Sequence, residues 1–110
     1  FNNGKVYRDF TYIDDIIKGT IAAINTNHNY EIFNLGNSHC VGVMDMIYII
    51  EECLGKKAII DFKDMQPGDV KKTFADISYS KEKLNYNPEI ELSEGIPNFI
   101  DWYKAYNKLK

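Results

Sequence analysis

Residues 6–24, VYRDFTYIDDIIKGTIAAI, join two different patterns of apolar residues. The first part, Val6 to Tyr12, is rich in aromatic and β-branched residues, which is typical of a short strand. The second part repeats isoleucine at offsets of three, four and eight, which places the side chains on one face of a helix. These isoleucines are Ile13, Ile16, Ile17, Ile21 and Ile24. The stretch therefore predicts a strand that leads directly into an amphipathic helix.

Three further helices are predicted, two of them from the same apolar spacing and one from the signal at its start. The first has its apolar side chains at Val43, Met46, Ile47, Ile50 and Leu54. Gly55 follows it and favours the left-handed conformation that ends many helices. The second, over 78–84, has Ser78 as its predicted N-cap. The last, over 94–108, has Pro97 in its first turn or at a slight kink, because a deeper proline would be costly. Its predicted inward-facing residues are Ile96, Phe99, Ile100, Tyr103 and Tyr106.

Two more short strands are predicted, at Glu31–Leu35 (EIFNL) and Ala58–Phe62 (AIIDF). Residues 63–73, KDMQPGDVKKT, contain a Pro-Gly turn signal and form the longest irregular stretch. The strands are too few for a complete dinucleotide-binding fold. We therefore predict one domain, residues 1–110, of the mixed α and β (α/β) class, with about four helices and a few short strands.

Charge and composition exclude several classes of protein. The 110 residues carry 13 basic and 16 acidic side chains, which argues against nucleic-acid binding because that needs clustered positive charge. No apolar run approaches the ~20 residues of a membrane-spanning helix. Cys40 and Cys53 are the only two cysteines and form no CxxC motif, which agrees with a reducing compartment. His28 and His39 lack partners at ligand spacing, so we expect no metal site. We expect a cytoplasmic protein with neither a nucleic-acid nor a membrane partner.

Arg8 is the only arginine in a chain with 12 lysines. Its guanidinium suits planar, bidentate binding of a phosphate or carboxylate, which lysine does badly. The alternative is a structural role, in which the guanidinium donates to Asp9, Asp14 or a backbone carbonyl. Composition does not decide between the ligand-binding role and the structural role. Asp14 and Asp15 are interpreted as charges that stabilise the helix start, since adjacent helical residues point about 100° apart and share no site.

The turn Gln66-Pro-Gly-Asp69 is the second candidate for ligand binding. A Pro-Gly turn holds flanking polar groups and exposed N–H groups in fixed directions. The alternative is an ordinary surface loop. Together with Arg8, an acidic residue on a rigid turn is suited to grip a phosphorylated sugar alcohol. The residues alone indicate this class of ligand and no reaction.

Two tyrosine–lysine pairs have the Tyr-x-x-x-Lys spacing of short-chain dehydrogenases, Tyr79 with Lys83 and Tyr106 with Lys110. On a helix, the ammonium group at this spacing can lower the pKa of the phenol and make it a base. Tyrosine and lysine are abundant here, so such pairs arise by chance, and neither pair follows a glycine-rich phosphate loop. We therefore assign no catalytic and no cofactor-binding residue.

Four motifs follow one another along the chain: RDFTYIDD at 8–15, FNLGN at 33–37, MQPGDV at 65–70 and FADIS at 74–78. The series resembles the C-terminal third of nucleotide-sugar epimerases of the extended short-chain dehydrogenase family. MQPGDV and the ending from Glu94 to Tyr103 are most similar to UDP-glucuronate 4-epimerases. The resemblance covers essentially the whole chain.

The resemblance implies a small substrate-binding lobe whose N-terminal Rossmann domain, absent from this chain, binds NAD and carries the catalytic Tyr/Lys pair. In that family, NAD takes a hydride from carbon 4 of the sugar and returns it to the other face. By motif, Arg8 contacts the UDP diphosphate and Asp69 accepts a hydrogen bond from a ribose hydroxyl. Gln66 stands where UDP-galactose epimerases carry a second phosphate-binding arginine, and we expect it to contact the substrate.

The expected function is that of the substrate-binding portion of an NAD-dependent UDP-sugar 4-epimerase that interconverts UDP-glucuronate and UDP-galacturonate. We expect the 110 residues alone to be inactive and to bind no cofactor. One alternative is the same lobe of a nucleotide-sugar dehydratase or decarboxylase. Another is a non-catalytic domain that binds nucleotides or a protein. The expected partners are a UDP-sugar, the Rossmann domain and, for the full-length enzyme, a second copy in a homodimer.

Overall fold

A computed structural model describes all 110 residues and contains four α-helices and one two-stranded sheet. In chain order, the elements are a 3₁₀ turn at Asn2–Gly4, β1 at Tyr7–Asp9, α1 at Ile13–Asn25, β2 at Cys40–Gly42, α2 at Val43–Leu54, α3 at Ser78–Leu84 and α4 at Leu92–Tyr106. The predicted mixed α and β class with four helices is confirmed. The predicted strand that leads into the first helix is also confirmed, although it is shorter than expected.

The sheet is small and lies where the candidate ligand-binding residues are. Strands β1 and β2 are antiparallel, with Tyr7 opposite Gly42. A third extended segment runs beside β1, because the Tyr7 N–H donates to the Lys71 carbonyl at 2.9 Å and the Thr73 N–H donates to the Tyr7 carbonyl at 3.2 Å. The sequence did not predict β2, since three residues are too few to show an alternating pattern. Pairing with β1 defines it.

The strands predicted at 31–35 and 58–62 are wrong, because neither segment pairs with another in a ladder. A strand needs a neighbour to receive its backbone hydrogen bonds, and a β-like composition does not supply one. Ile32 is 71% exposed and Ile59 is completely exposed, whereas Phe33 and Leu35 pack against the core without any strand pairing.

Two predicted helix starts need correction. Ser78 is the first residue of α3 and not its N-cap; its N–H donates to Asp76 Oδ1 at 3.0 Å and its hydroxyl donates to the same oxygen. These bonds lower the pKa of the Asp76 carboxyl. Helix α4 begins at Leu92, two residues earlier than predicted, so Pro97 is its sixth residue and lies beyond the first turn. Gly55 ends α2 with φ of +62°, as predicted.

The apolar core is small because the chain forms a thin slab, 49 × 38 × 18 Å. Its centre is a cluster of Ile77, Leu84 and Tyr86, with alanines of α1 and Leu35 packed around it. The predicted inward orientation is confirmed for the buried Ile100 of α4 and is wrong for three aromatic residues of that helix, each about half exposed or more. These are Phe99, Tyr103 and Tyr106. A slab this thin covers only one side of α4.

The apolar face of α1 also lies outside the core. Four of its isoleucines are 47–76% exposed, namely Ile13, Ile17, Ile21 and Ile24. The buried side of α1 carries Asp15 and Gly19. A Cβ atom at Gly19 would lie 2.7 Å from Leu35 Cδ2, so glycine allows the close packing of the helix there.

Asp15 joins α1 to the segment that precedes α4. Its carboxylate is buried, with 1% exposure, and accepts hydrogen bonds from the N–H groups of Glu89 at 3.1 Å and Ile90 at 3.0 Å. The Glu89 N–H donates to Oδ1 of this carboxylate and the Ile90 N–H donates to Oδ2. The charge that was predicted to stabilise the helix start is therefore also a tertiary link.

Asp15→Asn is expected to lower the free energy of unfolding by about 1–3 kcal/mol, because an amide nitrogen replaces one acceptor and leaves a backbone N–H without a partner. Urea denaturation followed by circular dichroism measures the change. The matched control is Asp14→Asn, which removes the same charge from the exposed neighbouring residue and should cost less than about 1 kcal/mol. Equal effects of the two substitutions would show that the buried link contributes nothing.

Candidate functional site

The candidate site lies at the sheet, where the irregular loop 63–73 is fixed against the start of the chain. At one end of the loop, the Asn3 N–H donates to the Lys63 carbonyl at 2.9 Å. At the other end, the Asp9 N–H donates to Thr73 Oγ1 at 3.0 Å, in addition to the two bonds of Tyr7 with this segment. The loop is therefore held at both ends, and its Pro-Gly turn lies between them.

The structure brings Arg8 and Asp69 into direct contact. Arg8 Nη2 donates to Asp69 Oδ1 at 2.9 Å, and Arg8 Nη1 donates to the Tyr7 carbonyl at 2.9 Å. The two charged side chains are partly exposed, at 26% and 30%. Neither Asp9 nor Asp14 binds the guanidinium. Arg8 therefore has a structural role, because a carbonyl and a carboxylate anchor it, and it remains partly accessible to solvent. Its binding of a phosphate stays a prediction.

The turn that carries Asp69 is stiff. Gly68 has φ of +84°, a conformation that favours glycine, and the Asp69 N–H donates to the Gln66 carbonyl at 3.2 Å. The Val70 N–H donates to Asp69 Oδ1 at 2.8 Å, which fixes the carboxylate. Gln66 is exposed and contributes its backbone carbonyl to this turn. Its predicted contact with substrate stays a prediction.

Asp9, which the sequence analysis did not single out, positions β1. Its carboxylate accepts hydrogen bonds from the backbone N–H groups of Asn37, Ser38 and Ala75, each at 3.0 Å. Successive side chains of a strand point to opposite faces, so Asp9 on the inner face leaves Arg8 on the other. The available signal was an aspartate inside a strand pattern, where aspartate is disfavoured.

Tyr79 and Lys83 do not form an acid–base pair. A hydrogen bond to Glu31, together with burial, raises the pKa of the Tyr79 phenol, whereas a general base needs a lowered one. Lys83 Nζ lies 5.9 Å from the centre of the Tyr79 ring, over its face. Tyr106 and Lys110 are no better placed to act as an acid–base pair, because Tyr106 is 73% exposed at the end of α4.

A second feature is an apolar cavity of about 260 Å³ between the start of α1 and the helices α2 and α4. It is separate from Arg8 and Asp69. Tyr12, Ile13 and Phe99 line it, and these three residues also line a neighbouring depression that reaches Trp102. The exposed isoleucines of α1 and the exposed aromatic residues of α4 are therefore continuous. We call this surface the apolar face; it comprises Ile13, Ile17, Ile21, Ile24, Phe99 and Trp102.

The structure contains no group of side chains that could form a metal centre, and its sheet differs from that of a dinucleotide-binding fold. No group of three or more His, Cys, Asp or Glu side chains is arranged to hold a metal ion. The two strands of the sheet are antiparallel, whereas a dinucleotide-binding fold is built on a mostly parallel sheet. The length and apolar composition that a membrane-spanning helix needs are not met by any helix of the chain.

Comparison with known proteins identifies close relatives. A family model described as GDP-mannose 4,6 dehydratase matches residues 1–99. An uncharacterised protein of Methanocaldococcus jannaschii is 47% identical over 103 residues, and a UDP-glucuronate 4-epimerase of Thermodesulfobacterium geofontis is 44% identical over 105 residues. Each alignment covers 94% of this chain and 32% of the relative.

A solved structure is also similar. The UDP-glucuronic acid 4-epimerase of Bacillus cereus, in complex with UDP-glucuronic acid and NAD, matches with a TM-score of 0.87 at 40% identity. The match covers 96% of this chain and 34% of that one. The chain therefore spans about a third of the length of its relatives. The resemblance to nucleotide-sugar epimerases that the four motifs indicated is confirmed.

Proposed function

Because the chain belongs to the GDP-mannose 4,6 dehydratase family, we propose that it is the substrate-binding portion of an NAD-dependent UDP-sugar 4-epimerase. The substrate pair that we propose is UDP-glucuronate and UDP-galacturonate, since relatives at 44% and 40% identity are named for that sugar. The observation that carries the proposal is the contact between Arg8 and Asp69. It places an accessible guanidinium beside a carboxylate on a stiff turn, in a chain that otherwise uses lysine.

The chemistry that this site serves is recognition of the nucleotide diphosphate. Arg8 neutralises the pyrophosphate and can donate to it through a planar fork. Asp69 accepts a hydrogen bond from a ribose hydroxyl, and Gln66 lies at the edge of the same turn. NAD supplies the hydride acceptor and donor for epimerisation at carbon 4. We assign that step to the proposed Rossmann lobe.

A dehydratase of the same family is the second candidate, because the matching family model is described by a 4,6-dehydration. Both reactions require binding of a nucleotide diphosphate. They differ in acid–base groups that we assign to the proposed Rossmann lobe. The epimerase is favoured because the relatives at 44% and 40% identity are named as epimerases.

The chain also has a surface suited to a complementary lobe. The apolar face is too exposed to be explained by the slab itself, and segment 31–35 has the composition of a strand without a partner. The relatives are about three times as long as this chain. We therefore propose that the apolar face packs against the N-terminal Rossmann lobe.

The 110-residue chain alone is expected to be inactive. Binding of the diphosphate from one side, without a hydride acceptor, cannot lower the barrier at carbon 4. Incubation with NAD and UDP-glucuronate, followed by chromatography for UDP-galacturonate, measures this. The T. geofontis epimerase serves as the positive control. Turnover by the chain alone would contradict the proposal that the catalytic residues and the NAD site lie in the Rossmann lobe.

Arg8→Lys is expected to weaken UDP binding by about tenfold, since the positive charge stays and the planar fork is lost. NMR titration of the backbone amides with UDP measures the affinity, which we expect in the millimolar range. The matched control is Lys71→Ala, which removes a positive charge from the loop beside β1 while its backbone bond to Tyr7 persists. A larger effect of the control would place the phosphate elsewhere.

The double substitution Ile17→Lys and Ile21→Lys is expected to abolish association with the N-terminal lobe of the T. geofontis enzyme. Each buried isoleucine contributes about 1.5–3 kcal/mol to such an interface. Co-purification of the separately tagged lobes is the measurement. Ile59→Lys, at a completely exposed position outside the apolar face, is the control and should still co-purify. Undiminished co-purification of the double variant would exclude this face as the docking surface.

A further inference from the structure

We propose that Thr73 is a positioning residue of the candidate site, where its side chain sets the distance between the strand that carries Arg8 and the loop that carries Asp69. The inference rests on the nucleotide-binding role proposed above and assigns Thr73 no contact with the ligand. Thr73 is half-buried and ends the loop 63–73. It is the residue at which this loop meets β1.

The first observation is that three polar groups of Thr73 bind the sheet. Its N–H donates to the Tyr7 carbonyl at 3.2 Å, and its Oγ1 accepts from the Asp9 N–H at 3.0 Å. Its carbonyl accepts from Cys40 Sγ at 3.3 Å. Tyr7 and Asp9 are the neighbours of Arg8 in β1, and Cys40 lies opposite Asp9 in β2. Thr73 is therefore bonded to β1 on both sides of Arg8 and to the strand beyond it.

The second observation explains why the hydroxyl is needed: the chain leaves the ladder beside β1 at this residue. Tyr7 and Lys72 form a parallel bridge. In a regular parallel ladder, the next bond would join the Asp9 N–H to the Thr73 carbonyl. That carbonyl is bonded to the thiol of β2 instead, and the chain continues inward until the Ala75 N–H donates to the Asp9 carboxylate at 3.0 Å. Thr73 Oγ1 therefore takes the place of a backbone carbonyl, and a side chain without a hydroxyl would leave the Asp9 N–H without a partner.

Arg8 and Asp69 depend on this junction from opposite sides. Arg8 lies between the two strand residues that Thr73 binds, and Asp69 lies four residues before Thr73 in the loop. Their only direct bond is the one from Arg8 Nη2 to Asp69 Oδ1 at 2.9 Å, and an ion pair between partly exposed side chains contributes little to holding a loop in place. The bonds at Thr73 therefore set the separation of the two charged groups, together with the neighbouring bond from the Tyr7 N–H to the Lys71 carbonyl.

A pair that is held in place before the ligand arrives lowers the cost of binding. Side chains and loops that are already ordered lose less conformational freedom when a ligand binds. Removal of the Thr73 hydroxyl frees the end of the loop from Asp9, so that Arg8 and Asp69 sample a wider range of separations. Affinity for the nucleotide then falls although neither charged group has been changed.

The first test compares two substitutions of Thr73 on the 110-residue chain, with UDP as the probe and NMR titration of the backbone amides as the measurement. Thr73→Val keeps the shape of the side chain without its hydroxyl and should weaken UDP binding about fivefold, the contribution of one hydrogen bond. Thr73→Ser keeps the hydroxyl and should bind within about twofold of the unsubstituted chain. The matched control is Thr26→Val, which removes a half-buried hydroxyl that donates to the Ala22 carbonyl at 2.6 Å, beyond the C-terminal end of α1, and should leave UDP affinity unchanged.

A spectroscopic signature separates positioning from a general loss of stability. The chain has one arginine, so one side-chain Nε–H resonance reports on Arg8. In Thr73→Val without ligand, this resonance should move towards its position in Asp69→Ala, in which the ion pair is absent. Cys40→Ala removes the bond to the Thr73 carbonyl and should shift the resonance in the same direction, so the result does not depend on the folding of one variant.

The substitutions at Thr73 and Asp69 should also be coupled. If Thr73 acts through the ion pair, the loss of UDP affinity in the double variant Thr73→Val/Asp69→Ala should be smaller than the product of the two single losses. Independent effects, an unchanged Arg8 resonance in Thr73→Val, or equal weakening by Thr26→Val would each refute the inference. Failure of the proposed function has a different signature. Arg8→Ala would then bind UDP as well as the unsubstituted chain, while the Arg8 resonance in the other variants would still show whether Thr73 sets the ion pair.

Discussion

The carboxylate of Asp9 is the interaction on which the candidate site depends. It accepts hydrogen bonds from three backbone N–H groups, those of Asn37, Ser38 and Ala75, each at 3.0 Å. These groups belong to two segments that are far from β1 in sequence, so one side chain holds three parts of the chain together. Because Asp9 points inward, its neighbour Arg8 points to the other face of the strand. The guanidinium is therefore placed by a residue that has no need to touch a ligand.

Buried carboxylates take much of the structural role that apolar side chains have in thicker domains. Asp15 binds two backbone N–H groups ahead of α4, and Glu51 accepts from the Ala58 N–H at 2.8 Å and from Lys57 Nζ at 2.9 Å. Only five hydrophobic residues are buried, so these links hold segments that the small core does not reach. Such links are directional, and each fails when its single acceptor is removed. The apolar residues are left free to face outward.

The sequence predicts which segments are helical and does not predict what covers them. Helical periodicity identified α1, α2 and α4 because it depends on local spacing, and signals at the helix ends identified α3. It identified an apolar face on α1, yet Ile24 is 76% exposed, since periodicity carries no information about a partner. Asp14 and Asp15 are indistinguishable in sequence, and only tertiary structure buries the second. Composition singled out Arg8 and a turn signal singled out Asp69, but their contact cannot be read from the sequence because they are 61 positions apart.

The proposed site and the apolar face lie on consecutive elements of the chain. Arg8 lies in β1 and Ile13 begins α1, and only Phe10–Tyr12 separate these two elements. Tyr12 lines the cavity beside the apolar face, and its ring lies against Gly95 of α4, so the connection is packed. If the proposed lobe docks on α1, this connection holds it at a fixed distance from the proposed diphosphate site. Binding energy gained at a remote phosphate contributes to catalysis only when such rigidity orients the reacting carbon. In the proposed enzyme, the short connection between β1 and α1 would keep the bound diphosphate in a fixed position relative to a lobe that docks on the apolar face.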